Sequence, residues 1–203
     1  MIVVLNHGQG NIGSLTNTLS YLGKKYEVWA NVFDEYESKE IEGFILPGVG
    51  SFNSGMREMR KRSLDKVIYS LIKKQIKGMG ICLGMQMLCE GSEEGKFTEK
   101  GLGIFKGDVR RLSTEDGFVP SIGWHITTEQ KDIEKILGKE EKAFYYVHSY
   151  AVETKNTEDI VATYKHGGKK ITAAIYKSMV LGVQFHPEKS QEPGLNLLET
   201  YFS

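Results

Sequence analysis

Proline and cysteine are scarce in this chain, with four and two in 203 residues, and no sign of charge dominates, since 26 basic side chains face 26 acidic ones. Two cysteines cannot build a disulfide framework, which points to a reducing, cytoplasmic setting. The neutral balance argues against a nucleic-acid binder, which ordinarily shows a basic surplus. The local basic groups, Arg57, Arg60, Lys61 and Arg62, then Lys73, Lys74 and Lys77, fall on helical stretches and read as solvated faces. No apolar run approaches the ~20 residues that span a bilayer, so no membrane association is expected. The start, Met1-Ile2-Val3-Val4-Leu5-Asn6, lacks the basic and long apolar regions of a signal peptide and reads as a first strand. What is present, 40% hydrophobic and 26% charged residues, is ordinary for a globular chain. The length suits a single domain over residues 1–203.

The first half alternates strand and helix. Ile2–Leu5 is a short β-branched run followed by the turn Gly8-Gln9-Gly10-Asn11. Leu15, Leu19 and Leu22 follow the i, i+4, i+7 spacing of a helix over Ser14–Leu22, which Gly23 ends. Strands are predicted at Glu27–Trp29, Phe44–Leu46 and Gly78–Cys82. A helix is predicted over Ser51–Lys77, with a break near Ser63, and another over Gly84–Glu90. Repeated βα units imply a parallel sheet with helices on both faces and chemistry at the carboxyl ends of its strands. After a polar loop, Gly91–Lys100, come short runs at Gly103–Leu112, Ile122–Thr127, Phe144–Val152, Ile160–Tyr164, Ile171–Ile175 and Val180–Phe185. These predict antiparallel hairpins added to the parallel sheet. Glu192–Ser203 is either a closing helix or a loose end.

The sharpest local feature is Gly80-Ile81-Cys82-Leu83-Gly84, a G-x-C-x-G directly between an apolar strand and an apolar helix. This is a nucleophile elbow with cysteine in the place of serine. Side chains two positions either side of the nucleophile would collide with backbone, hence the glycines. The helix directs its amino end at the sulfur and favours a thiolate, and the Leu83 N–H is placed to donate to an oxyanion. By itself the pattern also fits a buried cysteine at a strand end. Cys89, without a glycine frame, reads as packing. A nucleophilic cysteine needs a base. Among five histidines, His186 stands out in Val183-Gln184-Phe185-His186-Pro187-Glu188. Pro187 keeps His186 extended, so His186 and Glu188 share a side and the carboxylate can orient the imidazole. Cys82, His186 and Glu188 thus form a candidate nucleophile, base and orienter. Pro47-Gly48-Val49-Gly50-Ser51-Phe52 offers backbone N–H groups for a second oxyanion donor, although a plain βα turn reads equally well.

Gly80–Gln86 together with Gly182–Glu188 resembles the class I (triad) glutamine amidotransferases, whose fold is flavodoxin-like. Within that superfamily Gly8–Asn11, Pro47–Phe52, Gly84–Leu88, Ile122-Gly123-Trp124 and Val147-His148-Ser149-Tyr150 are similar to blocks of the glutaminase subunits of imidazole glycerol phosphate synthases, so the likeness runs through the whole chain. The resemblance implies that Cys82 attacks the side-chain amide of L-glutamine. Leu83, Val49 and Gly50 would supply the oxyanion hole, and His186 would move the protons. Gly50, Gln86, Glu94, His148 and Ser149 would contact the substrate, Glu94 pairing with its ammonium. For His148 a structural role on a strand is the alternative. The family works with a (β/α)8-barrel cyclase subunit as hetero-dimer partner, and Asn11, Trp124, His125 and Lys189 would lie near that interface. No cofactor and no metal are implied. Two segments depart from the family pattern: Asn6-His7-Gly8 stands where Asp-Tyr-Gly is common, and Gly123-Trp124-His125 where Gly-Trp-Asn is common. Neither touches the triad, and both put the identity of the partner in question. Relatives of this subunit supply ammonia to amino-sugar and surface-polysaccharide synthases, which stands as the alternative. A stand-alone cysteine hydrolase and an inactive binding module are the remaining readings; Gly84-Met85-Gln86 argues against the first and the intact triad against the second.

Overall fold

The computed structural model describes residues 1–31, 40–129 and 141–203. The strands are β1 (Ile2–Leu5), β2 (Tyr26–Trp29), β3 (Gly43–Gly48), β4 (Lys77–Cys82), β5 (Gly91–Ser92), β6 (Gly107–Arg111), β7 (Ser121–Glu129), β8 (Lys142–His148), β9 (Tyr150–Thr154), β10 (Ile160–His166), β11 (Lys169–Lys177) and β12 (Val180–Val183). The helices are α1 (Ile12–Tyr21), α2 (Phe52–Lys61), α3 (Leu64–Lys73), α4 (Leu83–Met87) and α5 (Gln191–Tyr201).

Nine strands form one sheet in the order β2-β1-β3-β4-β12-β11-β10-β7-β8. From β2 to β12 every neighbour is parallel, and from β12 to β8 every neighbour is antiparallel. This is the expected α/β arrangement, with antiparallel strands added in the second half. Because successive strand residues face opposite ways, β1 feeds two cores. Ile2 and Val4 join Leu15 and Leu19 of α1 and Leu197, Leu198 and Tyr201 of α5. Val3 and Leu5 join Met56 and Met59 of α2 and Val67, Ile68 and Leu71 of α3. Helices therefore cover both faces.

Local chemistry accounts for the element ends. The Asn11 side chain caps α1 by accepting from the Ser14 N–H. The long helical stretch breaks at Ser63, which adopts a left-handed conformation (φ 55°) between α2 and α3. The chain end is a docked helix, with the Tyr201 hydroxyl donating to the carbonyls of Gly78 (2.9 Å) and Met179 (2.7 Å).

Three expectations need correction. The helix read over Gly84–Glu90 is only Leu83–Met87, because the carbonyls of Met87, Leu88 and Cys89 accept instead from the N–H groups of Leu102, Ile104 and Gly103. The run Gly103–Leu112 contributes only β6, which joins β5 and β9 in a separate three-stranded sheet. The run Phe144–Val152 is two strands, not one: the chain leaves the main sheet after His148 and enters the small sheet at Tyr150.

Candidate active site

Three adjacent strands carry the site. β4 ends at Cys82, β3 ends at Gly48 just before Val49 and Gly50, and β12 runs into His186. Register binds them together: Gly48 pairs with Cys82 on one side of β4, and Val183 pairs with Ile81 on the other. The sheet therefore brings the candidate nucleophile, the candidate oxyanion turn and the candidate base to one edge.

Cys82 holds a strained backbone, φ 52° and ψ −110°, a region that L-residues rarely occupy. The flanking glycines are what the packing demands. A Cβ on Gly80 would lie 2.6 Å from Leu88 Cδ1 and 2.9 Å from the Met85 main chain, and one on Gly84 would run into the Leu46 carbonyl oxygen. As the first residue of α4, Leu83 has an amide N–H with no acceptor inside its helix. Cys89, by contrast, is fully buried, and burial raises its thiol pKa far above the usual range.

His186 is fixed by its backbone. Its N–H donates to the Tyr145 carbonyl (2.9 Å), and the Ser190 hydroxyl donates to its carbonyl (2.6 Å). Its Nδ1 meets Glu188 Oε1 at 2.8 Å, with both side chains almost wholly buried. That contact assigns the Nδ1 proton to the carboxylate side and leaves Nε2, which makes no formed hydrogen bond, for the sulfur. Burial alone would lower the imidazole pKa; the Cys82 sulfur and then Glu188 outweigh it and push it up to about 10. A protonated imidazole at neutral pH follows from that balance.

A cavity of about 310 Å³ joins these groups and is lined by Val49, Gly50, Cys82, Leu83, Gln86, Glu94, Val147, His148, Ser149, Tyr150 and His186. Every residue assigned to the triad, the oxyanion hole or the substrate borders it except Glu188, which stands behind His186. The Gln86 amide gives its two N–H bonds to the Tyr150 carbonyl (3.0 Å) and Gln184 Oε1 (3.1 Å), so only its oxygen remains, an acceptor for a donor on the ligand. Glu94 Oε2 accepts the Phe52 N–H at 2.7 Å; the carboxylate caps α2 in the next layer while bordering the cavity. Both ring nitrogens of His148 are taken. Nδ1 donates to the Tyr150 carbonyl (2.8 Å) and Nε2 accepts from the Tyr164 hydroxyl (2.9 Å), and burial drops its pKa to about 4, which keeps the ring neutral. What His148 offers a ligand is therefore its backbone and ring edge.

The Val49 N–H does not face the cavity; it donates to the Gln9 carbonyl at 3.2 Å. His7 is buried behind the same turn, its Nε2 on the Pro47 carbonyl (3.0 Å). His7 thus packs against the oxyanion segment. Trp124 lies on β7 with Ile122 and Ile126, all about half exposed on one face. His125 points the other way, bonded to the Ser121 hydroxyl (3.2 Å) and against the rings of Tyr146 and Tyr164. Lys189 is exposed with its Nζ 5.9 Å above the Tyr145 ring. Asn11 is exposed at the start of α1. Sequence reasoning gave no role to Gln184, whose amide reaches the Cys82 sulfur; its only signal was a lone carboxamide in an apolar run. Among the described residues no group of His, Cys, Asp and Glu is arranged to hold a metal ion, and no helix is long and apolar enough to cross a membrane.

The arrangement can perform acyl transfer: a sulfur nucleophile, an oriented imidazole, one available oxyanion donor and a second one turned away. Known proteins agree with it. The sequence profile of the family described as Glutamine amidotransferase class-I matches residues 3–202. The Imidazole glycerol phosphate synthase subunit HisH 2 of Pseudomonas aeruginosa is 40% identical over 99% of this chain and 98% of its own. The HisH subunit of Leptospira interrogans is 36% identical over the full length of both. Among solved structures, PurLQS from Thermotoga maritima superposes with a TM-score of 0.75 at 18% identity, covering 98% of this chain and 96% of that one. Another, titled as a glutamine amidotransferase, gives 0.74 at 16% identity over 99% and 97%; at such identities the likeness is one of fold. By profile, by full-length relatives and by fold, the chain belongs to the class I glutamine amidotransferases.

Proposed function

We propose that this chain, one domain over residues 1–203, is the glutaminase subunit of an imidazole glycerol phosphate synthase. It hydrolyses L-glutamine and passes the ammonia to a (β/α)8-barrel cyclase subunit in the cytoplasm, for histidine biosynthesis. The observation that carries the chemistry is the 2.8 Å His186–Glu188 bond behind a cavity that also holds Cys82; the full-length HisH relatives carry the assignment of pathway. Cys82 Sγ attacks the amide carbon, and the electron pair of the C=O moves to oxygen, where the Leu83 N–H donates. His186 gives its Nε2 proton to the departing ammonia, leaving a γ-glutamyl thioester. It then takes a proton from water, which attacks the thioester and releases glutamate. The substrate ammonium sits between Glu94 and Gln86 Oε1, both acceptors at the cavity wall.

The second oxyanion donor needs a turn of the Val49 peptide away from Gln9, which makes the resting subunit a slow glutaminase. Docking of the cyclase subunit on the exposed Ile122, Trp124 and Ile126 face supplies that turn and closes a path for unprotonated ammonia. The test is glutamate release by the chain alone and with a cyclase subunit and its nucleotide ligand. Strong stimulation is expected; full speed without a partner overturns the coupling. Adduct mapping after treatment with diazo-oxo-norleucine is expected to place the label on Cys82. A second reading, ammonia supply to an amino-sugar or surface-polysaccharide synthase, draws support from His125 beside Trp124, where the family commonly has asparagine. The partner that co-purifies with the chain separates the two.

A further inference from the structure

Gln184 follows β12 in the run Leu181-Gly182-Val183-Gln184-Phe185 and is wholly buried, at 0% exposure. A buried carboxamide is costly unless its polar atoms are engaged. Its Oε1 accepts from Gln86 Nε2 at 3.1 Å, and its Nε2 donates to Cys82 Sγ at 3.6 Å. The amide orientations follow from the bonds themselves. Gln86 Nε2 also donates to the Tyr150 carbonyl, so it faces two oxygens. Gln184 must then turn its oxygen to Gln86 and its NH2 to the sulfur. A neutral thiol is a weak acceptor, whereas a thiolate is a strong one; the bond therefore gains most when the sulfur is charged. The same N–H restrains the sulfur, whose backbone already stands in a strained conformation.

We propose that Gln184 is a positioning residue for the nucleophile: its N–H holds the Cys82 sulfur in place and favours the thiolate, and its oxygen links that sulfur to Gln86 at the cavity wall. The inference goes beyond the amidotransferase reading and needs neither glutamine nor a partner to be tested. The full chain is alkylated with iodoacetamide between pH 5 and 10, the Cys82 adduct being quantified by mass spectrometry and the fold checked by thermal melting. Gln184→Met keeps the length and removes the donor. Its alkylation midpoint is expected to rise by about one pH unit, making the reaction about tenfold slower below the midpoint, with the high-pH plateau retained. Gln184→Glu is isosteric and sets a carboxylate against the sulfur; a larger loss at neutral pH is expected. A Gln184→Met profile superimposed on that of the parent overturns the proposal, and so does a uniform loss at every pH with an unmoved midpoint, which marks a packing role. If the Met variant does not fold, the Glu variant decides, and neutral-pH alkylation as fast as the parent's overturns the proposal.

Discussion

Gly84→Ala tests the reading that the elbow is held by main-chain contact. The new Cβ would meet the Leu46 carbonyl oxygen of β3, with the Leu46 side chain 3.4 Å away. Overpacking ordinarily costs about 1–3 kcal/mol, because side chains can shift. Here both parties are main chain, and β3 is pinned by parallel pairing on its two sides, so the upper end, about 3 kcal/mol, applies. For a chain of this size each kcal/mol moves the melting temperature by about 2–4 °C, which gives a fall of about 6–12 °C. Relief by sliding α4 would also move Leu83 and the sulfur, so Cys82 alkylation should slow in the same variant. Gly13→Ala is the control: it lies in α1 with nothing within 4 Å of a new Cβ, and it should be neutral or stabilising by up to about 1 kcal/mol. Calorimetry of the three proteins decides. A Gly84→Ala chain melting within about 2 °C of the parent, with unchanged alkylation, would refute the packing account of the elbow.

Other outcomes are expected. Iodoacetamide applied to the folded chain should modify Cys82 and leave Cys89 untouched until denaturant is added, as peptide mapping would reveal. Glu188→Gln removes the charge facing His186 Nδ1, and one buried charge-assisted bond corresponds to a drop of about one to two pH units in the imidazole titration, readable by NMR. His186 titrates near 10 when folded, against 6.5 for the unfolded chain. Its contribution to stability is thus complete below pH 6.5 and is lost as the pH rises toward 10. The urea midpoint of the parent should approach that of His186→Asn across that window; a constant gap would contradict the assignment. Trp124→Glu should weaken binding of a cyclase subunit by at least tenfold in calorimetric titration, since the indole lies in the exposed apolar face of β7.

The parallel half and the contact of His186 with Glu188 were legible because they rest on local patterns. The β-branched runs, the glycines framing Cys82 and the proline after His186 each constrain their own neighbours. What stayed hidden depends on distant partners. α4 is cut short by N–H groups from residues 102–104, and β6 finds its pairing with β9 rather than with the main sheet. The break at Ser149 is invisible in a run of apolar residues that reads as one strand. Gln184 went unassigned because its role is set by an amide and a sulfur far away in sequence. Glu94 was read as a ligand contact, and its additional hold on the Phe52 N–H stayed hidden because that partner is far away in sequence.

The pairing of β3, β4 and β12 has a further implication for how such a molecule can change over generations. The candidate reacting groups ride on adjacent strands in the middle of the sheet, while β7 and β8 form one margin of it and β7 turns its apolar face outward. Drift confined to the outward residues Ile122, Trp124 and Ile126 can retune which subunit is recognised, while β8, whose Tyr145 carbonyl holds the His186 N–H, keeps sulfur and imidazole aligned. The architecture separates the identity of the customer from the chemistry of supply, so that one ammonia generator can be handed from one biosynthetic client to another by substitutions at its rim.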